Sequence, residues 1–180
     1  MPAIRVIVLF ALATVVRWLR GKSWSELARG PASDAAIAAA AGAAALAVAV
    51  LAGGPLIEAV LARGVEWSQF PIVRGSATRM FGVASAVACL AIAAELALRG
   101  GIVETVLELA GSRVLAVAAG ALGEALLVDG DLAVRAGGAL LGIALGWMYV
   151  ASGRNVVAPV CARLAFVLGA LLLEALRLVS

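Results

Sequence analysis

Apolar residues fall in long runs along this chain, and short polar or glycine-rich stretches punctuate them. Such runs predict helices that are apolar on most sides, the pattern of elements that lie in a bilayer. The first run, 3–19, holds only 11 residues between Arg5 and Arg17. It is short for a span. It crosses with both arginines reaching to the boundaries, or it lies in the interface with Trp18 as an anchor. A polar stretch, 20–34, carries Trp24, Pro31 and the helix-starting pair Ser33–Asp34. The alanine-rich second run is expected over 35–61, kinked or ended at Gly53-Gly54-Pro55. Between Arg63 and Arg79, Trp67, Phe70 and Pro71 suit a membrane–water boundary.

The third run, 80–98, is expected to break at Gly100-Gly101. Residues 102–110 are then too short to span and read as an interfacial or re-entrant helix. Its Glu104 and Glu108 stand one turn apart and, with Arg113, form a solvated or headgroup-facing edge. Further membrane helices are expected over 114–128, 132–150 and 156–179. The tight turn Asp129-Gly130-Asp131 separates the first two, with its aspartates as caps. Glu174 and Arg177 are placed to pair with each other, and Trp147 and Tyr149 to serve packing. The pattern therefore predicts an all-α fold. It is a polytopic membrane helix bundle with about five or six transmembrane helices plus an interfacial or re-entrant helix. Residues 1–180 form a single integral membrane domain.

Composition strengthens this reading. The chain is 64% hydrophobic, against about half in a soluble domain. Its formal charge of +3 is small and rests on arginine, since Lys22 is the only lysine. No basic run is interleaved with aromatics, so nucleic acid is not an expected partner. Membrane lipids are expected, with a membrane protein partner or a second copy of the chain. Arg17, Arg20 and Lys22 follow the first apolar run with no small-x-small site before them, so that run is expected to be retained. Arginine is concentrated before the second and third helices, which puts the start of the second helix in the cytoplasm. The alanine- and arginine-rich composition suggests a bacterial plasma (inner) membrane.

Candidate chemistry is sparse. The chain has no histidine, and Cys89 and Cys161 lie in apolar stretches with no CxxC spacing. No cofactor and no metal site are predicted. Glu95, Glu124 and Arg163 interrupt apolar runs, where a charge costs about 2.5–3.5 kcal/mol and therefore seeks a partner or a cavity. At a helical rise of about 1.5 Å per residue, Glu95 lies about 6 Å above Arg99 and Arg163 about 10 Å above Val156. Glu124 lies about 16 Å above Arg113. Glu95 and Arg163 are thus expected at similar depth, with Glu124 farther in. Gly138, Gly142 and Gly146 form a small-residue face, either for helix packing within the chain or for a partner interface.

One stretch carries a family resemblance. Ala94-Glu95-Leu96-Ala97-Leu98-Arg99-Gly100 resembles the E-E-x-x-x-R-G motif of the CPBP intramembrane proteases, which include CAAX prenyl endopeptidases and bacteriocin-immunity-type proteins. Ser112-Arg113 opens a helix twelve residues on, as in that family. Gly142-Ile143-Ala144-Leu145-Gly146-Trp147-Met148-Tyr149, Ser152-Gly153-Arg154 and Ala158-Pro159 are similar to its G-x-x-x-G-W-x-Y and T-G-R-x-x-x-A-P segments. Order and spacing hold from Ala94 to Val167. The resemblance implies a membrane bundle but not the family's chemistry. The first motif glutamate is Ala94 here. The F-x-x-x-H motif falls on Glu124 and Val128, and H-x-x-x-N falls on Arg163 and Val167.

Hydrolysis by that route needs a carboxylate base and oxyanion donors. Valine supplies neither, and arginine cannot accept a proton. No residue is therefore expected to be catalytic; Glu95, Arg99, Glu124 and Arg163 are degenerate motif positions. Arg163 is expected to pair with Glu95, Glu124 or both, as an ion-paired plug. The leading expectation is a catalytically inactive CPBP-like scaffold or accessory subunit. Two alternatives stand beside it. One is an active glutamate-dependent protease using Glu95 and Glu124. The other is a small carboxylate-coupled transporter.

Overall fold

The computed structural model describes residues 2–28, 31–48, 51–52 and 76–176, and all regular structure among them is helical. Helix α1 spans Pro2–Leu19, and a 3-10 turn at Trp24–Leu27 follows it. Helix α2 spans Ala32–Val48. Helix α3 runs unbroken over Ala77–Ala110. Helices α4 (Arg113–Leu127), α5 (Leu132–Ala151) and α6 (Val157–Ala175) complete the order. The Gly53-Gly54-Pro55 kink, Trp67, Phe70, Pro71 and Arg177 lie outside the described residues.

Local signals fix several boundaries. Ser112 Oγ accepts from Leu115 N at the start of α4, and Asp131 Oδ1 accepts from Val134 N at the start of α5. Ser76 Oγ does the same for Arg79 N at the head of α3. These bonds satisfy amides that a helix start leaves open. Gly111 closes α3 in the left-handed conformation that glycine adopts without strain.

Gly100-Gly101 does not break the third helix, contrary to expectation. The stretch Leu96–Val103 winds as a π-helix, and α-helix resumes through Ala110. The glycines serve close approach instead. A Cβ on Gly101 would meet Ala13 Cβ at 2.8 Å. One on Gly100 would meet Leu27 Cδ1 at 2.6 Å and Trp24 at 2.7 Å. Residues 102–110 are therefore the end of α3, packed against α4, and not a separate interfacial helix.

Two helix pairs dominate the bundle: α2 runs parallel to α6, with Gly42 at Ala162 and Leu46 at Gly169, and α4 runs antiparallel to α5. Helix α3 lies against α6, and α1 crosses the π-helical stretch. The apolar core has three parts. Val6, Ala94, Leu98 and Leu127 join α1, α3 and α4. Ala38, Leu145, Ala158 and Ala162 join α2, α5 and α6. Leu27, Val103, Ala116, Tyr149 and Val156 fill one end, where Val156 N also donates to Leu27 O.

The glycine face of α5 is occupied from within the chain. Added Cβ atoms on Gly138, Gly142 and Gly146 would meet Val128, Ala121 and Val117 of the α4 side at 3.0, 2.7 and 3.2 Å. Gly42 brings α2 equally close to α6, where a Cβ would overlap the Ala162 carbonyl.

Exposure is inverted relative to a water-soluble bundle. Arg17, Glu95, Arg99, Glu104, Glu124, Asn155 and Glu174 are buried. Ile4, Ile7, Leu12, Ile37, Phe81, Leu122 and Leu140 are among many exposed apolar side chains. Apolar surface this extensive marks contact with lipid or protein. Ala77–Ala110, Leu132–Ala151 and Val157–Ala175 are long and apolar enough to cross a membrane. These are three spans among the described residues, fewer than about five or six. The α2 stretch Ser33–Val48 is apolar but shorter, and α4 has 15 residues.

The packing of α5 on α4 yields a contrast within one helix. Gly142→Leu should destabilise the protein by about 1–3 kcal/mol or more, because Ala121 backbone and Glu124 block the added atoms. Gly137→Ala, with nothing within 4 Å, should instead gain up to about 1 kcal/mol. Thermal unfolding of both variants in one detergent measures the difference. Equal midpoints would contradict the close α4–α5 contact.

Candidate functional site

Three helices bring four charged side chains together in the interior. Helix α3 supplies Glu95 and Arg99 one turn apart, at the junction where α-helix passes into π-helix. Helix α4 supplies Glu124 and α6 supplies Arg163. Arg163 Nε donates to Glu95 Oε1 and its Nη2 to Glu124 Oε2, both at 2.5 Å. Arg99 Nε stands 3.2 Å from Glu95 Oε2, and Arg99 Nη2 stands 3.6 Å from Glu124 Oε2. Glu95 and Arg99 are fully buried, Glu124 is 3% exposed and Arg163 12%. Two cations face two anions, so the cluster is neutral.

The two arginines act differently. Arg163 makes charge-assisted hydrogen bonds to both carboxylates, the strong kind. Arg99 holds its place by charge alone, since none of its guanidinium nitrogens makes a hydrogen bond. Small residues make room for both. A Cβ on Gly120 would stand 2.9 Å from Arg99 Nη1, and one on Gly142 would stand 2.9 Å from Glu124 Cβ.

The pairing of Arg163 with both glutamates matches the sequence expectation, but the expectation that Glu124 lies farther in than Glu95 does not hold. That estimate placed Arg99 at a membrane boundary because Gly100-Gly101 was read as a break. With α3 continuous to Ala110, Arg99 and Glu124 stand about equally far from the Gly111 turn. At about 1.5 Å per residue each is about 18 Å from it. The hairpin therefore places Glu124 level with Leu98, which its neighbour Gly123 touches. The remaining motif positions are apolar: Ala94 is buried in the core, and Val128 packs on Gly138.

A second polar cluster, at the Ala110 end of α3, escaped the sequence reading. Glu104 is buried rather than solvated. Tyr149 Oη donates to Glu104 Oε2 at 2.7 Å, and Arg154 Nε donates to the same oxygen at 3.0 Å. Tyr149, expected in a packing role, is therefore also a buried donor. Glu108 receives Arg20 and Lys22 from beyond α1 and lies 3.5 Å from Arg154. Bonding to Glu104 pushes the Arg154 guanidinium further above its ordinary range. Arg154 itself has φ +68°, an uncommon conformation outside glycine. A cleft of about 470 Å³ opens here, lined by Arg17, Lys22, Glu26, Leu27, Glu104, Glu108, Gly153 and Arg154. The one sequence signal was the spacing of Glu104 and Glu108, but their partners lie 45 residues away or more.

Both ends of α1 are tied to this frame. Arg5 pairs with Asp129 at 2.6 Å, and Arg17 reaches inward to Gly100 O at 3.1 Å. Cys89 and Cys161 are free thiols, and no group of three potential metal ligands occurs among the described residues.

No family model matches the chain, and neither a curated protein nor a solved structure matches it.

The interior cluster should behave as one unit. Arg163→Leu leaves two buried carboxylates with one cation and should cost about 3–5 kcal/mol. The double variant Arg163→Leu/Glu124→Leu restores neutrality and should cost less than the single one. Thermal or denaturant unfolding of the three proteins tests this, and additive losses would count against a coupled cluster. At the other end, Tyr149→Phe removes one hydrogen bond to a carboxylate and should cost about 1.5–3 kcal/mol in the same measurement.

Proposed function

We propose that this chain is a non-catalytic, CPBP-like integral membrane protein that acts by binding. It would serve as a scaffold or accessory subunit for a partner within the bilayer, or as a homo-oligomer. The carrying observation is that Glu95, the one surviving motif glutamate, is fully buried between two arginines. A hydrolytic carboxylate must reach water and substrate and must accept a proton. Glu95 Oε1 accepts from Arg163, its Oε2 faces Arg99, and the side chain is sealed from solvent. A Glu95/Glu124 dyad would need one carboxyl kept protonated by a like charge or by apolar burial. Here each carboxylate is met instead by two guanidinium groups, those of Arg99 and Arg163.

The membrane setting rests on the inverted exposure and on the three long apolar helices. At about 1.5 Å per residue α3 is about 50 Å long, more than the roughly 30 Å hydrocarbon core. Its Glu104–Glu108 end therefore emerges at the boundary, where a polar cluster is tolerated. Helix α1 runs from the Asp129 turn to Glu108 and so extends alongside α4. The roughly five or six crossings of this reading take some of α1, α2 and α4 as further passes beside the three long helices. A bacterial inner membrane fits the composition.

Purified protein in nanodiscs should not cleave a fluorogenic prenylated peptide above a blank, and Glu95→Gln should change nothing. Cleavage that Glu95→Gln abolishes would overturn the non-catalytic reading. Mild-detergent extraction from native membranes should recover the chain with a stoichiometric membrane partner or as a multimer. A lone monomer would count against the binding reading.

A further inference from the structure

Arg17 is 4% exposed, yet no carboxylate among the described residues lies within ion-pair distance of it. The other described cations of the two polar clusters have acidic partners: Arg99 and Arg163 in the interior, Arg20, Lys22 and Arg154 at the α3 end. Arg17 Nη1 and Nη2 donate to Gly100 O and Ser23 O, and the guanidinium carbon sits 4.9 Å from the centre of the Trp24 ring. Its Nε has no hydrogen-bond partner. Neutral carbonyls and an aromatic face orient a guanidinium but do not cancel its charge.

Two clefts meet at this side chain. One is the polar cleft of about 470 Å³ described above. The other, about 490 Å³, is walled by Thr14, Trp18, Gly21, Ser23 and Trp24. Arg17 and Lys22 line both. Trp18 is 75% exposed at the rim, and tryptophan concentrates at the headgroup level of a bilayer. A ligand that fits has a compact anion for Arg17 and Lys22 and an apolar body for the tryptophan-walled groove.

We propose that this junction binds the phosphate group of an anionic lipid, with part of its apolar body in the Trp18–Trp24 groove. The lipid phosphate supplies the counter-charge that Arg17 lacks. Lys22, half-exposed and paired with Glu108, adds a second contact. Guanidinium matches phosphate geometry through two parallel donors. Glu26, Glu104 and Glu108 share the polar cleft with the cations, whereas Arg17 and Lys22 are the charged lining of the tryptophan-walled groove, so the phosphate is placed on the groove side. The proposal rests on the membrane setting and is independent of whether the chain is catalytic.

The test is native mass spectrometry of the full chain released from nanodiscs containing equal phosphatidylglycerol and phosphatidylcholine. Phosphatidylglycerol should be retained about tenfold over phosphatidylcholine, equivalent to about 1.4 kcal/mol. Arg17→Gln should abolish that preference and Arg17→Lys should restore part of it. Lys22→Gln, at a half-exposed side chain, should weaken the preference in a protein with unchanged unfolding. Equal retention of the two lipids by the wild-type protein would overturn the proposal, as would an unchanged preference in both Arg17→Gln and Lys22→Gln. Complete displacement of the lipid by inorganic phosphate would also overturn it, since the site would then read a free anion. Failure of the chain to enter nanodiscs would sink the membrane reading along with this site, whereas equal retention sinks the site alone.

Discussion

A charge buried among apolar helices must be neutralised where it lies, and the bundle is organised around that requirement. Arg163 is the pivot. It reaches Glu95 on α3 and Glu124 on α4 from α6, so one side chain sets the relative register of three helices. Arg99 balances the count, since Arg163 alone would leave a net negative charge between two carboxylates. The close helix contacts follow from the same need. Gly120 and Gly142 stand beside Arg99 and Glu124, where a larger residue would push the charges apart or displace a helix.

The second cluster obeys a different rule. Glu104, Glu108, Lys22 and Arg154 border an open cleft, and Arg20 pairs with Glu108 beside it, so solvent shares the work of screening them. Pairs with a partly exposed partner, such as those of Arg20 and Lys22 with Glu108, are individually weak. Their effect here is collective: they join the end of α1 to the end of α3 and the start of α6. Tyr149 makes one corner rigid, because it is buried and its hydroxyl points at Glu104. The interior cluster thus fixes register, and the outer one fixes which chain ends lie together.

What could be read from sequence follows the range of each interaction. Ser112 and Asp131 were legible as helix starts because their bonds are local, three residues long. The pairing of Arg163 was legible because a guanidinium in an apolar run has few escapes, and only Glu95 and Glu124 were equally isolated. The Gly100-Gly101 pair misled because glycine permits both a chain break and a close approach, and the local sequence is the same for either. Only the presence of Ala13, Trp24 and Leu27 decides it, and those residues lie far away in the chain. That one error placed Glu95 too shallow relative to Glu124. Glu104 was misread for a related reason: its spacing from Glu108 suggests a solvated edge, but Tyr149 and Arg154 turn it inward.

The neutral cluster also bears on what this interior can do. A carboxylate-coupled transporter must let a glutamate gain and lose a proton during its cycle. Arginine stays protonated throughout the accessible range. Protonating Glu95 or Glu124 would leave two guanidinium groups facing one carboxylate, a net positive charge in an apolar setting. Cycling would therefore require a guanidinium to leave the cluster each time. Arg99 is fully buried, with its head beside Gly120, and Arg163 bridges two helices. Either departure would break the contacts that hold α3, α4 and α6 in register. An interior built this way suits a fixed frame, which leaves the apolar outer faces and the cleft at the α3 end as the places where the molecule can act on something else.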